Sequence, residues 1–223
     1  MNKIVMDNNK IILEVVGTQE LDLSEYDCSE LECNILSSVS LFVTDINNNI
    51  RKCTFNCDSD SSLEINKFNS NDVLCKININ LQERANARLI ISTVANKENK
   101  YDINICHFGN YSYSKCINNG IVNDGTLDYN INGIIEHGAL NCSVIQESKI
   151  ITKNVKNATI KPVLVINETV EEANHSASIG YYNEEDLFYL ESRGIDRQNA
   201  IKLINKGLLI NNFRDKEKIE NLI

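Results

Sequence analysis

The sequence predicts a mainly β protein that ends in a small helical segment, and three observations carry this. Residues 1–100 hold period-two segments parted by polar turns: in Cys53-Thr54-Phe55-Asn56-Cys57, and again from Cys75 to Leu81, the apolar side chains and the cysteines share one parity. An internal echo follows, in which residues 117–126 resemble residues 131–139 and a Gly-Ile-aliphatic step recurs at Gly120 and Gly133. Past residue 180 the apolar spacing changes from two to that of a helix. Short strands with Asn, Gly and Asp turns suit a β-solenoid, where each coil buries its face by stacking on the next, and equally suit a sandwich. The division is a strand-built core over 1–180 and a helical segment over 181–223.

Composition narrows the class. With 22 Lys and Arg against 31 Asp and Glu the net charge is -9, spread along the chain, which argues against nucleic acid or an anionic membrane as the main partner. No apolar run approaches a membrane span, and the first ten residues lack the apolar core of a signal peptide. A cytoplasmic location is therefore expected, with the eight cysteines as thiols in a reducing compartment. Those on an apolar parity read as small core hydrophobes. Cys28 and Cys33 have neither CxxC spacing nor a nearby histidine, so they do not suggest zinc. Proline occurs once and glycine 9 times, so the abundant asparagines are expected to do the turning.

The later elements follow in order. Tyr101, Ile103, Ile105 and His107 share a parity, which reads His107 as a hydrogen-bonded core histidine. Residues 160–166 are apolar on both parities, as in a strand covered on both faces; Pro162 favours the strand's start or a bulge. Asn183 before Glu184, Glu185 and Asp186 is a helix N-cap with acids in the first turn, Leu187 and Leu190 face inward, and Arg193-Gly194 ends the helix. Asp196 caps a second helix with Ile201, Ile204 and Leu208 at helical spacing and Gly207 as terminator. Residues 213–223 read as a frayed helix or a disordered end.

The order Pro162, apolar strand, acidic link, Asn174-His175-Ser176-Ala177-Ser178-Ile179-Gly180, then Glu185-Asp186-Leu187-Phe188-Tyr189-Leu190 and Ser192-Arg193-Gly194-Ile195 resembles the C-terminal signature of the SufB/SufD family. These are scaffold subunits of the Suf iron-sulfur cluster assembly system. The resemblance extends over about residues 100–210 and implies a right-handed parallel β-helix rather than a sandwich. Many family members carry an N-terminal helical region, which residues 1–60 do not resemble, so the chain looks like a shortened member.

His175 is the leading functional candidate and the candidate metal donor. It follows Glu171 and Glu172, and an imidazole near two carboxylates suits iron; the plainer alternative is a histidine that hydrogen-bonds the link between sheet and helices. The resemblance implies a role at the interface with a SufB-like partner. Lys156 stands where SufB-like subunits have a cysteine, and Ser176 where they have a glutamate, so the chain looks SufD-like. Cys116 and Cys142 remain possible sulfur or iron donors.

The paired helices read either as a cap on the solenoid's open end or, by resemblance, as the docking site of the Suf ABC-type ATPase, through Leu187, Phe188, Tyr189, Arg193, Gly194 and Ile201. The chain itself has no Walker sequence. The expected function is a SufD-like, non-enzymatic scaffold that pairs with a SufB-like or identical subunit and holds a transient iron-sulfur cluster, with no permanent cofactor. A non-catalytic scaffold that only dimerises and regulates the ATPase is one rival. A glycan-acting solenoid is another, disfavoured by the absence of tryptophan.

Overall fold

The computed structural model describes residues 3–7 and 9–222. After an antiparallel pair of strands at its start, the chain winds between two sheets, contributing one strand to each in turn. The first sheet holds β1 (Lys3–Asp7), β2 (Lys10–Val15), β4 (Glu30–Ile35), β6 (Lys52–Cys57), β8 (Val73–Leu81), β10 (Glu98–His107), β12 (Thr126–Ile135) and β14 (Ala158–Ile166), in that spatial order. The second holds β3 (Gln19–Asp22), β5 (Ser40–Ile46), β7 (Ser62–Asn69), β9 (Asn86–Ala95), β11 (Tyr113–Val122), β13 (Cys142–Thr152) and β15 (Val170–Gly180). Every pairing is parallel except β1 with β2. Parallel stacking of sequential coils makes this a solenoid and removes the sandwich.

The interior is built from one parity of every strand. Ile103, Ile105, Tyr129 and Ile131 on one side meet Leu89, Ile91 and Cys116 on the other, and Tyr101 stacks on Tyr129 with ring centroids 5.3 Å apart. Seven of the cysteines are buried and all eight are free thiols, as the period-two reading required; burial pushes the Cys57 and Cys116 thiols up to about 12.

Asparagine does more than turn the chain. Asn47 and Asn141 do adopt left-handed backbone, but others form ladders on the outer face of the first sheet. Asn56 Nδ2 donates to Asn34 Oδ1 (2.7 Å) and Asn80 Nδ2 to Asn56 Oδ1 (2.8 Å), across 22 and 24 residues. Asn104 donates to Asn78 (3.1 Å) and Asn132 to Asn104 (2.9 Å), across 26 and 28 residues. Along the first sheet the repeat lengthens by two residues at each of these steps, which is why no fixed repeat shows in the sequence. The echo between Gly120 and Gly133 instead relates β11 and β12, the two strands of one coil.

Several buried polar groups lie on the interior parity, and two of them bear on stability. Lys67 Nζ sits 2.7 Å from Asp45 Oδ2, on adjacent strands in register, with side chains only 1% and 3% exposed. Burial opposes the lysine's charge, but Asp45 together with Cys75, Tyr101 and Cys53 outweighs it and holds its pKa above the usual lysine value. The second group is His107, fully buried with Nδ1 2.8 Å from Ser112 Oγ and Nε2 2.8 Å from Ser114 Oγ. Ser112 donates its own proton to Gly109 O, so Nδ1–H donates to Ser112 and Nε2 accepts from Ser114. This is the core histidine expected.

Burial lowers the His107 pKa from 6.5 to about 4. The unfolded chain therefore takes up this proton first as pH falls. Stability from the neutral ring is complete above pH 6.5 and is lost towards pH 4, on the order of 3 kcal/mol in all. The melting temperature should fall across that window, and the fall should be shallower in His107→Gln, measured by thermal denaturation at a series of pH values.

The helices are α1 (Glu184–Ser192), α2 (Arg197–Ile210) and α3 (Glu217–Glu220). Asn183 and Asp196 cap the first two, accepting from Glu185 N (3.0 Å) and Asn199 N (3.1 Å), and Gly194 takes φ +84. Gly207 does not end α2. The helix runs on to Ile210 because Leu209 and Ile210 bury with Phe68, Ile90, Ile117, Ile121 and Ile151 on the outer face of the second sheet. Residues 213–222 are ordered too: Phe213 and Ile219 join that cluster, Arg214 lies over the Phe42 ring at 4.7 Å, and Lys218 reaches Asp22 at 3.6 Å. The tail is thus a strap running back to the first coils, not a frayed end.

Candidate functional site: the open final coil

The final coil, β14 and β15, has no strand on its outer side among the described residues. The helices pack on the face of the second sheet against β9 and β11, so they do not cap this end. Val163 and Val165 are 42% and 41% exposed, Ile166 is exposed as well, and both strands present unpaired edges. The expectation that residues 160–166 are covered on both faces is thereby corrected. Pro162 lies in the middle of β14, opposite Ile131, and no bulge is needed, because β14 is an edge strand and an edge tolerates a missing donor.

His175 lies on β15 opposite Gln146 of β13. Gln146 is buried, and Val144 and Ile150 of the same parity are core residues, so His175 belongs to the interior parity of its coil. It is nonetheless exposed, because no further coil covers it. Ala173 and Ile179, on the same parity, pack against the core clusters.

The acidic residues part from it. A register shift between Cys142 and Ser143 pairs Val170 and then Glu172, leaving Glu171 as the extra residue of a bulge. Glu172 takes the opposite parity, where it accepts from Asn174 Nδ2 at 2.6 Å. His175 and the two glutamates therefore do not form one donor set, and among the described residues no three His, Cys, Asp or Glu side chains converge as a metal site would need.

The cysteines are no closer to serving as donors. Cys116 is buried two strands in from His175, in register with Gln146 and contacting Asn118. Cys142 is buried against Ser112 Oγ (3.2 Å) and Gly109 O (3.3 Å). Lys156 is exposed in a short 3-10 turn, and Ser176 lies on the outer parity of β15.

Of the helix residues, Phe188 and Tyr189 are exposed at 73% and 58%, with Arg193 over the Tyr189 ring at 5.2 Å. Gly194 is exposed, Ile201 is half-buried, and Leu187 is fully buried and holds α1 in place. An accessible surface is therefore made by Phe188, Tyr189 and Arg193, and Leu187 cannot be part of it.

Gln146 was missed in the sequence although a signal existed. In Val144, Gln146, Ser148 and Ile150, polar residues continue an apolar parity. Its amide is buried, Nε2 donates to Val163 O across the coil (3.3 Å), and Oε1 has no partner. Gly133 makes the room: a Cβ there would lie 2.9 Å from Gln146 Nε2 and 2.7 Å from Val144.

Residues 42–208 match the family model described as SUF system FeS cluster assembly, SufBD core domain. A curated relative is the iron-sulfur cluster assembly protein SufD of Bacillus subtilis (strain 168), 28% identical in an alignment of 181 residues that covers 79% of this chain. The match spans 40% of that relative's length.

Proposed function

Since the chain belongs to the SufBD core family of the Suf iron-sulfur cluster assembly system, we propose that it is a SufD-like scaffold subunit that seats a second scaffold subunit, SufB-like or identical, on its open final coil. The observation that carries this is the uncovered coil itself, with unpaired strand edges, exposed Val163, Val165 and Ile166, and an interior-parity histidine left in solvent. A partner adding strands there would satisfy the edges and bury the apolar side chains. His175 would then lie inside the joint, where iron and sulfide are held in transit as cargo. The remaining donors come from the partner, since Glu172 faces away. No step of substrate turnover is assigned to this chain, and its free thiols suit a cytoplasmic setting.

The same reading puts the ABC-type Suf ATPase on the exposed surface of α1. Phe188 and Tyr189 are large, solvent-facing and clustered with Arg193, the composition of an interface anchor. Phe188→Ser with Tyr189→Ser should weaken ATPase binding at least 10-fold while leaving the melting temperature within about 1 °C, because neither ring is buried. Anaerobic size exclusion with light scattering on the mixed proteins reads the first, and thermal denaturation the second. Undiminished binding would remove the ATPase from this surface.

A further inference from the structure

The buried amide of Gln146 has a donor bond and an empty acceptor. Its orientation is set by Val163 O, since only the NH2 end can face a carbonyl, so the unpartnered atom is the oxygen Oε1. A buried acceptor without a partner is destabilising, and a leucine of similar size would avoid that cost. Gly133 leaves the space that the amide occupies. The neighbour on the next strand, on the same interior parity, is His175. An imidazole that binds a metal through one nitrogen needs its other N–H held by an acceptor, which fixes the tautomer and turns the ring.

Resting on the scaffold reading above, we propose that Gln146 is the positioning residue of His175: its free Oε1 accepts the imidazole N–H and leaves the other ring nitrogen as the donor to an iron ion. Gln146 touches no cargo itself. It acts by selecting one tautomer and one ring orientation, so its effect is on affinity and on the proton's place.

The test uses the full-length chain paired with its scaffold partner, under anaerobic conditions, with Co(II) as the probe for Fe(II). The His175 tautomer is read from ring nitrogen chemical shifts at a pH where the ring is neutral, and Co(II) affinity from titration. Wild type should show one dominant tautomer. Gln146→Leu should shift the ring towards a mixture and weaken Co(II) binding about 10-fold. Gln146→Met repeats the deletion of the acceptor should leucine disturb packing. Unchanged tautomer and affinity in a folded Gln146→Leu or Gln146→Met chain would overturn the positioning role. His175→Ala separates this from the reading beneath it: binding lost in His175→Ala but kept in the Gln146 variants sinks the positioning role alone, whereas binding kept in His175→Ala sinks both.

Discussion

Lys67→Met is expected to destabilise the fold by about 3–5 kcal/mol, because it leaves the Asp45 carboxylate buried without a counter-charge. Asp45 Oδ1 already lacks a partner, and the ammonium at 2.7 Å is the group shown compensating the other oxygen. The double variant Lys67→Met, Asp45→Leu should recover most of the loss, since two well-packed apolar side chains can replace a buried pair at little cost. Denaturant unfolding of the four proteins of this cycle gives the coupling directly. A single variant as stable as wild type would mean that the pair is solvated in solution and that the middle coils are looser than described here. The contrast with the surface pairs is part of the expectation. Arg84 with Asp60, exposed at 52% and 42%, should add little.

Phe213→Ala should cost about 3–5 kcal/mol, a core-sized loss from a residue near the end of the chain. Its ring is buried with Ile219, Leu209 and the outer face of the second sheet. Arg214→Ala, one residue on, should cost far less, about 1 kcal/mol, since its half-exposed guanidinium only covers the Phe42 ring and meets the exposed Glu20. Hydrogen exchange should show the protection of β3, β5 and β7 falling in Phe213→Ala, because the strap crosses their outer face. Protection falling in the helices alone would mean that the tail secures only itself.

The part of this fold that follows from local pattern was legible. Alternation placed Cys53, Phe55, Cys57 and His107 inside, and capping grammar found Asn183, Gly194 and Asp196. What depends on stacking was not. A coil whose length changes from turn to turn leaves no fixed period, so the asparagine ladders could not be separated from asparagine turns until strands were in register. Gly207 reads as a helix end by propensity, yet burial of Leu209 and Ile210 overrides it. The tail looks charged and short, but Phe213 and Ile219 alone carry its apolar contact.

At the site, the sequence brought forward His175 and the helices but joined His175 to Glu171 and Glu172 by proximity along the chain. A bulge and the parity of a strand undo that grouping, since adjacent side chains point to opposite faces. Lys67 and Gln146 were visible in principle, as polar residues on an apolar parity. Such a position has a function only once its neighbour on the next strand is known.

The central claim is that the open coil is a joint between scaffold subunits, and light scattering on the purified chain, alone and mixed with a SufB-like subunit, measures this most directly. Ile166→Lys with Ala177→Arg places two charges on the interior parity of β14 and β15, where both positions are exposed in the single chain. Wild type should run as a two-subunit particle, with itself or with the SufB-like chain, and the charged variant as a monomer with an unchanged melting temperature. A variant that still pairs as tightly as wild type would place the joint elsewhere and leave His175 outside it.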